Sequence, residues 1–184
     1  MNKKTFIQLP GGRRFWPLKA EGPIVLSDIA GALSKINRYT GHTTHAYSVA
    51  LHSVNVARVL PDELKLWGLL HDASEAYLGD VARPIKYPWW MWPYRRAEDR
   101  LLRRIADEFG LCWPVPPEVK EADNRMLATE VRHLFKTLHP DWETWLRGIE
   151  PYADAPTSWF EEQSPRSVQH LYEFYVGSYL EDFQ

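Results

Sequence analysis

A chain of 184 residues, 45% of them hydrophobic and 25% charged, can bury the core of one globular domain, and its formal net charge of −2 excludes a bulk basic surface for a nucleic-acid polymer. The single cysteine, Cys112, excludes an internal disulfide and agrees with a reducing, cytoplasmic location. No apolar run approaches the ~20 residues of a membrane span. Residues 1–6 carry two lysines with no apolar stretch behind them, so neither a signal peptide nor a membrane partner is expected.

Residues 5–18 read as a hairpin. Phe6-Ile7-Gln8-Leu9 leads into the turn signal Pro10-Gly11-Gly12, and Arg13-Arg14-Phe15-Trp16 follows. Pro17 and Pro23 then break the chain, so residues 1–26 form a small appendage and residues 27–184 the main domain. Ser27 caps a helix reaching Ile36, and residues 37–44 form a polar loop. The next helix spans about residues 45–60 and is stopped by Pro61. Ala46, Val49, Ala50, Val56, Ala57 and Leu60 give it helical spacing. Asp62 caps a helix running to about Tyr77, apolar enough in its middle to lie at the centre of a bundle.

Residues 78–93 form a loop with Gly79, Pro84, Pro88 and Pro93. A helix follows over 94–109, closed by Gly110. The Trp113-Pro114-Val115-Pro116-Pro117 connector leads to a helix from near Glu118 that ends before Pro140. Residues 140–165 are irregular and rich in Pro, Trp, Asp and Glu. Ser164-Pro165 then supplies the N-cap and first position of a last helix reaching about Leu180. The expected fold is a single all-α domain of about six helices with a small N-terminal β-hairpin.

The chemistry concentrates around Leu69-Leu70-His71-Asp72. His71 and Asp72 are adjacent metal ligands of different type at the end of an apolar helix, where a buried carboxylate needs a cation or hydrogen bonds. Neighbours cannot share one face in mid-helix, but near a helix end both can reach one ion. Glu75, i+4 from His71, projects over the same end. Asp123 belongs to a stripe of Val119, Asp123, Met126, Leu127, Glu130 and Leu134, and so faces the core in a mostly apolar row. His52, between Val49 and Val56, also faces inward. His45, one heptad earlier, and His42 compete for its role. His52 ranks first because His45 lies near the helix start, while His133, His139 and His170 read as surface or packing residues. Two imidazoles and two carboxylates make an N/O site for one divalent ion, whether Co²⁺, Mn²⁺, Zn²⁺ or Mg²⁺. Such a set leaves positions open for water and a phosphate oxygen, as a catalytic site does. Arg38 before the His52 helix, and Arg83 and Lys86 after Asp80, are cations available to a phosphate.

In this order, His52, the His71-Asp72 pair and Asp123 resemble the HD-domain metal-dependent phosphohydrolases. The segments Tyr47-Ser48-Val49-Ala50-Leu51-His52-Ser53 and Leu70-His71-Asp72-Ala73-Ser74-Glu75-Ala76-Tyr77-Leu78-Gly79-Asp80 are similar to the branch of bacterial 5′-deoxynucleotidases and phage deoxynucleoside triphosphohydrolases, including those acting on dATP. The resemblance covers about residues 27–135. It implies that His52, His71, Asp72 and Asp123 hold one divalent metal, that Glu75 and Asp80 do the acid–base work, that Arg38 and Lys86 bind phosphate, and that Tyr39 stacks on a base. The bacterial 5′-deoxynucleotidases carry Trp where this chain has Tyr39, so base choice and phosphate number stay open. The implied activity is hydrolysis of deoxynucleotides, as mono- or triphosphates. The alternatives are a hydrolase of a signalling nucleotide (hyperphosphorylated guanosine or a cyclic dinucleotide) and a non-catalytic metal-binding module. Five of the nine tryptophans, Trp89, Trp90, Trp92, Trp142 and Trp145, fall in two short clusters outside the expected helices. Aromatic surface of that kind points to a homo-oligomer.

Overall fold

The structure is a computed structural model that describes residues 5–181. The stretch before residue 5, on which the expectation of no signal peptide partly rests, lies outside the described residues. The chain forms a helical bundle with a two-stranded hairpin at its N-terminus. Among the described residues, six helices have eight residues or more: α1 (Leu26–Leu33), α2 (Val49–Arg58), α3 (Asp62–Leu70), α6 (Trp92–Glu108), α7 (Pro117–Leu134) and α9 (Pro165–Glu181). Between them lie the short helices α4 (Glu75–Leu78), α5 (Arg83–Lys86) and α8 (Asp141–Trp145). No helix among the described residues is long and apolar enough to cross a membrane.

The centre of the bundle is α2 rather than α3. Every residue from Val49 to Ala57 is buried, including the polar His52, Ser53 and Asn55, and α2 packs against α3, α7 and α9. Burial of those polar groups is compensated locally. Ser53 Oγ donates to the Val49 carbonyl at 3.0 Å, and Asn55 Nδ2 donates to the Tyr47 hydroxyl at 2.9 Å and the Trp159 carbonyl at 3.0 Å. In α3 only the second half, Leu66 to Leu70, is buried.

Several helix boundaries differ from the sequence reading: α1 ends at Leu33 rather than Ile36, the expected loop 78–93 contains α5 and the start of α6, and three further ends are set locally. Helix α1 starts at Leu26 with Val25 as its cap, so Ser27 lies inside the first turn and Asp28 turns to Arg13 at 2.8 Å. Helix α2 starts at Val49, not near His45, because Ser48 caps it by accepting from the Leu51 N–H at 3.2 Å. The segment before it is held extended instead: the Arg38 N–H donates to the Tyr47 carbonyl and the Val49 N–H to the Ile36 carbonyl, both at 2.9 Å. Helix α3 stops at Leu70. There the His71 Nδ1 donates at 2.8 Å to the Gly68 carbonyl, the acceptor a continuing helix would offer the Asp72 N–H.

Strands β1 (Ile7–Gln8) and β2 (Arg14–Phe15) pair antiparallel, Ile7 opposite Phe15. The hairpin is packed onto the bundle. Phe15 is fully buried and stacks on Tyr77 of α4 with ring centroids 4.2 Å apart, while Arg104 of α6 donates to the Ala20 and Gly22 carbonyls. The irregular stretch after α7 contains α8 and a short turn at Thr157–Phe160, whose buried Phe160 closes one end of the core.

Candidate metal centre

The centre forms between α2 and α3, which pack closely together. A Cβ on Gly68 would stand 2.9 Å from the Ala57 Cα and 2.7 Å from the Leu60 Cδ1, so only glycine permits this approach. It brings His52, in the middle of α2, opposite His71 at the end of α3. Their Nε2 atoms are 3.3 Å apart. Asp72 follows in the turn after α3, with Oδ2 3.3 Å from the His71 Nε2 and 3.7 Å from the His52 Nε2. The ligand atoms of His52, His71 and Asp72 all lie within 4.8 Å of one another, close enough to share one cation. Asp123 of α7 enters from the third side, its Oδ1 3.3 Å from the His52 Nε2 and its Oδ2 2.6 Å from the Lys120 Nζ.

The donor chemistry fits a divalent cation. Each imidazole has its Nδ1 tied to an acceptor, His52 to Glu130 at 2.5 Å and His71 to the Gly68 carbonyl at 2.8 Å, which aims both Nε2 atoms at the same point. Burial alone would raise the carboxylates, but His71 outweighs it and holds Asp72 well below the usual range. Asp123 is likewise held low, against burial, by His52, His71 and Lys120. Burial and the Arg38 guanidinium push the His52 imidazole down, yet Glu130 and Asp123 lift it to about 9. The cluster therefore concentrates negative charge around two imidazoles and draws in positive charge.

Glu75, on the first turn of α4, behaves differently. Burial, reinforced by Asp72 and Asp80, raises it well above an ordinary carboxyl, and its Oε2 is buried without a hydrogen-bond partner. It is a carboxyl whose proton is held more tightly than an ordinary one beside the proposed metal ligands. Asp80 is raised too, chiefly by burial.

A cavity of about 610 Å³ opens over this cluster. Asp72, Glu75, Asp80 and Asp123 line it at the acidic end. Arg38, Arg83, Lys86, Arg95 and Lys120 give it a cationic wall, and Tyr39, Tyr87, Phe135, Trp142 and Trp145 an aromatic one. The predicted cations are not all free. The Lys86 Nζ is paired with Glu98 at 2.5 Å, Arg83 reaches Asn124 at 3.4 Å, and Arg38 spans Glu130 at 3.1 Å and Asp72 at 3.6 Å. Tyr39 and the next residue, Thr40, are left-handed, with φ of 56° and 51°, a conformation that costs about 1–3 kcal/mol per residue and needs its surroundings to hold it. Of the competing histidines, His45 points its Nε2 at the Phe160 carbonyl at 2.6 Å, whereas His42 lines the cavity, as does His139, which the sequence placed at the surface.

Sequence reasoning did not assign Glu130, Lys120, Arg95 or the wall of Phe135, Trp142 and Trp145. Glu130 offered one signal, since it lies one heptad beyond Asp123 on the same inward stripe. Lys120, at i−3 from Asp123, was visible only as a surface lysine.

No protein-family model matches the chain. It is 40% identical over 131 residues to the uncharacterized protein YfdR of Escherichia coli, covering 71% of this chain and 72% of that one. An uncharacterized protein of Rhodobacter capsulatus is 39% identical over 130 residues, 65% of this chain and 66% of its own. A 5′-deoxynucleotidase of Vibrio atlanticus is 28% identical over 93 residues, 47% of this chain and 48% of its own.

Proposed function

The chain belongs to the family of Escherichia coli YfdR, and from its site we propose that it is an HD-domain metal-dependent phosphohydrolase that cleaves the 5′-phosphate or triphosphate ester of deoxynucleotides. One observation carries the reading. Two imidazole Nε2 atoms and the Asp72 carboxylate converge beside the buried Glu75, on the floor of a cavity walled by cations and aromatic rings. The partial likeness to a 5′-deoxynucleotidase supports the choice of substrate.

In this reading His52, His71, Asp72 and Asp123 hold one divalent ion, which when bound supplies Lewis acidity toward water and a phosphate oxygen. The chain's own residues do the rest. Arg38, Arg83 and Lys86 receive phosphate oxygens, and the Lys86–Glu98 pair keeps that ammonium in place. Tyr39 lies against the base. Glu75 gives its proton to the departing oxygen, and the Asp80 carboxylate accepts a hydrogen bond from the attacking water and takes its proton. The exposed Trp89, Trp90 and Trp92, at 77%, 61% and 53%, support a homo-oligomer.

The test is metal analysis of the purified protein together with phosphate, pyrophosphate and triphosphate release from all deoxynucleoside mono- and triphosphates. Cleavage of at least one, dependent on the metal, is expected. Turnover of a cyclic or hyperphosphorylated nucleotide alone, or bound metal with no turnover of any nucleotide, would overturn the proposal.

A further inference from the structure

Glu130 is a fully buried carboxylate on α7, seven residues beyond Asp123. Its two oxygens accept from four side chains. Oε1 takes the His52 Nδ1 at 2.5 Å and the Tyr47 hydroxyl at 3.0 Å. Oε2 takes the Tyr39 hydroxyl at 2.8 Å and the Arg38 Nε at 3.1 Å. A carboxylate offers about four acceptor sites, so this one is saturated. The donors split by oxygen. The His52 side of Oε1 belongs to the metal cluster, while both donors on Oε2 belong to the cavity wall.

We propose that Glu130 is a positioning residue that holds the metal cluster and the substrate wall in register. Through Oε1 it keeps the His52 proton on Nδ1 and aims Nε2 at His71, Asp72 and Asp123. Through Oε2 it holds the Arg38–Tyr39 segment against the cavity, including the left-handed backbone of Tyr39. The substrate half of this inference rests on the phosphohydrolase reading; the metal half does not.

Glu130→Gln separates positioning from packing, because the amide keeps the shape of the side chain but must present an NH₂ at one end. If that end meets Arg38, two donors face each other, and a guanidinium cannot turn acceptor. If it meets His52, the Nδ1 must accept, and the ring proton moves to Nε2, the atom that should bind metal. One half of the site fails either way, and loss of the anion weakens His52 as a ligand in both.

The experiment titrates Zn²⁺ into metal-stripped wild-type, Glu130→Gln and Tyr47→Phe proteins by calorimetry, each first checked for a folded state by circular dichroism. Tyr47→Phe removes a donor to the same Oε1 without touching the cluster or the cavity wall. Glu130→Gln should bind Zn²⁺ about 10–100-fold more weakly than wild type, the usual loss for a partner of a ligating histidine. Tyr47→Phe should stay within about threefold of wild type, well below that range. At saturating Zn²⁺ the KM of the hydrolysed nucleotide should rise several-fold in Glu130→Gln, as Arg38 loses its acceptor. If Glu130→Gln does not fold, ¹⁵N spectra of the zinc-loaded wild-type imidazoles decide instead, and should show His52 protonated at Nδ1 and not at Nε2. A folded Glu130→Gln with wild-type zinc affinity overturns the inference. An equal loss in Tyr47→Phe, an unprotonated His52 Nδ1, or a wild type that takes up no zinc does the same. Tight zinc binding with no hydrolysis of any nucleotide would instead remove the proposed activity and leave the metal half of this assignment standing.

Discussion

Replacing Gly68 by alanine tests whether the close α2–α3 approach builds the metal centre. In an exposed helix the change should stabilise the protein, because alanine is favoured over glycine by about 0.8–1.0 kcal/mol. At Gly68 the added Cβ would stand 2.9 Å from the Ala57 Cα, where ordinary contact begins at 3.4 Å, so the helices must part by about 0.5 Å. The Leu60 methyl can rotate away, but the Ala57 backbone cannot. Overpacking of a filled core costs about 1–3 kcal/mol, and a backbone clash belongs at the upper end. Set against the propensity gain, the net loss is about 2 kcal/mol, a fall in Tm of roughly 4–8 °C for a chain of this size. Gly177, in α9, is the matched control, since nothing lies within 4 Å of its added Cβ. Gly177→Ala should raise Tm by about 2–4 °C. Thermal unfolding followed by circular dichroism reads both. Zinc titration should also show weaker binding in Gly68→Ala, because His71 hangs from the Gly68 carbonyl and faces His52 across the widened gap. Equal upward shifts in the two variants would refute the reasoning.

Four further outcomes are expected. Asp72→Ala should lose bound metal and phosphate release together, as it removes an anion from the cluster; a fully metallated, active variant would contradict the ligand assignment, by metal analysis and assay. Glu75→Gln should keep its metal but lose about 10²–10⁴-fold in turnover, and a rate within a few-fold of wild type would remove Glu75 from the chemistry. Chelation should abolish activity and restored metal recover it, while Zn²⁺ at 100 times its Kd should stabilise the fold by about 2.7 kcal/mol, read as a rise in Tm; an unchanged Tm would mean no site of that affinity exists. Sedimentation at micromolar protein should give a dimer or larger species, and a species of only 21.5 kDa would show that Trp89, Trp90 and Trp92 do not make a self-interface.

The helices and the inward direction of the ligands were legible in the sequence, because both follow from local periodicity. His52 between Val49 and Val56, and Asp123 within its apolar stripe, could be placed on buried faces by counting. Both side chains are buried in the structure, as that count requires. The ends of the helices were less legible. Ser48 and the His71 Nδ1 set two of them through single hydrogen bonds that compete with ordinary helix signals, and α1 starts after Val25 with no side-chain cap at all.

What the amino-acid sequence determined by itself was therefore the all-α class, the N-terminal hairpin, and a set of His and Asp residues facing a common interior. Those follow from spacing along the chain and from the cost of burying unpartnered polar groups. Only the tertiary structure decided what each charged group faces. Lys86 reads as a free phosphate cation until Glu98 closes on it, and Lys120 as a surface charge until it meets Asp123. Glu130 is one more helix residue until Arg38, Tyr39, Tyr47 and His52 arrive from 78 to 92 residues away. A side chain's charge state and role depend on neighbours within a few ångströms, and packing, not sequence distance, chooses those neighbours.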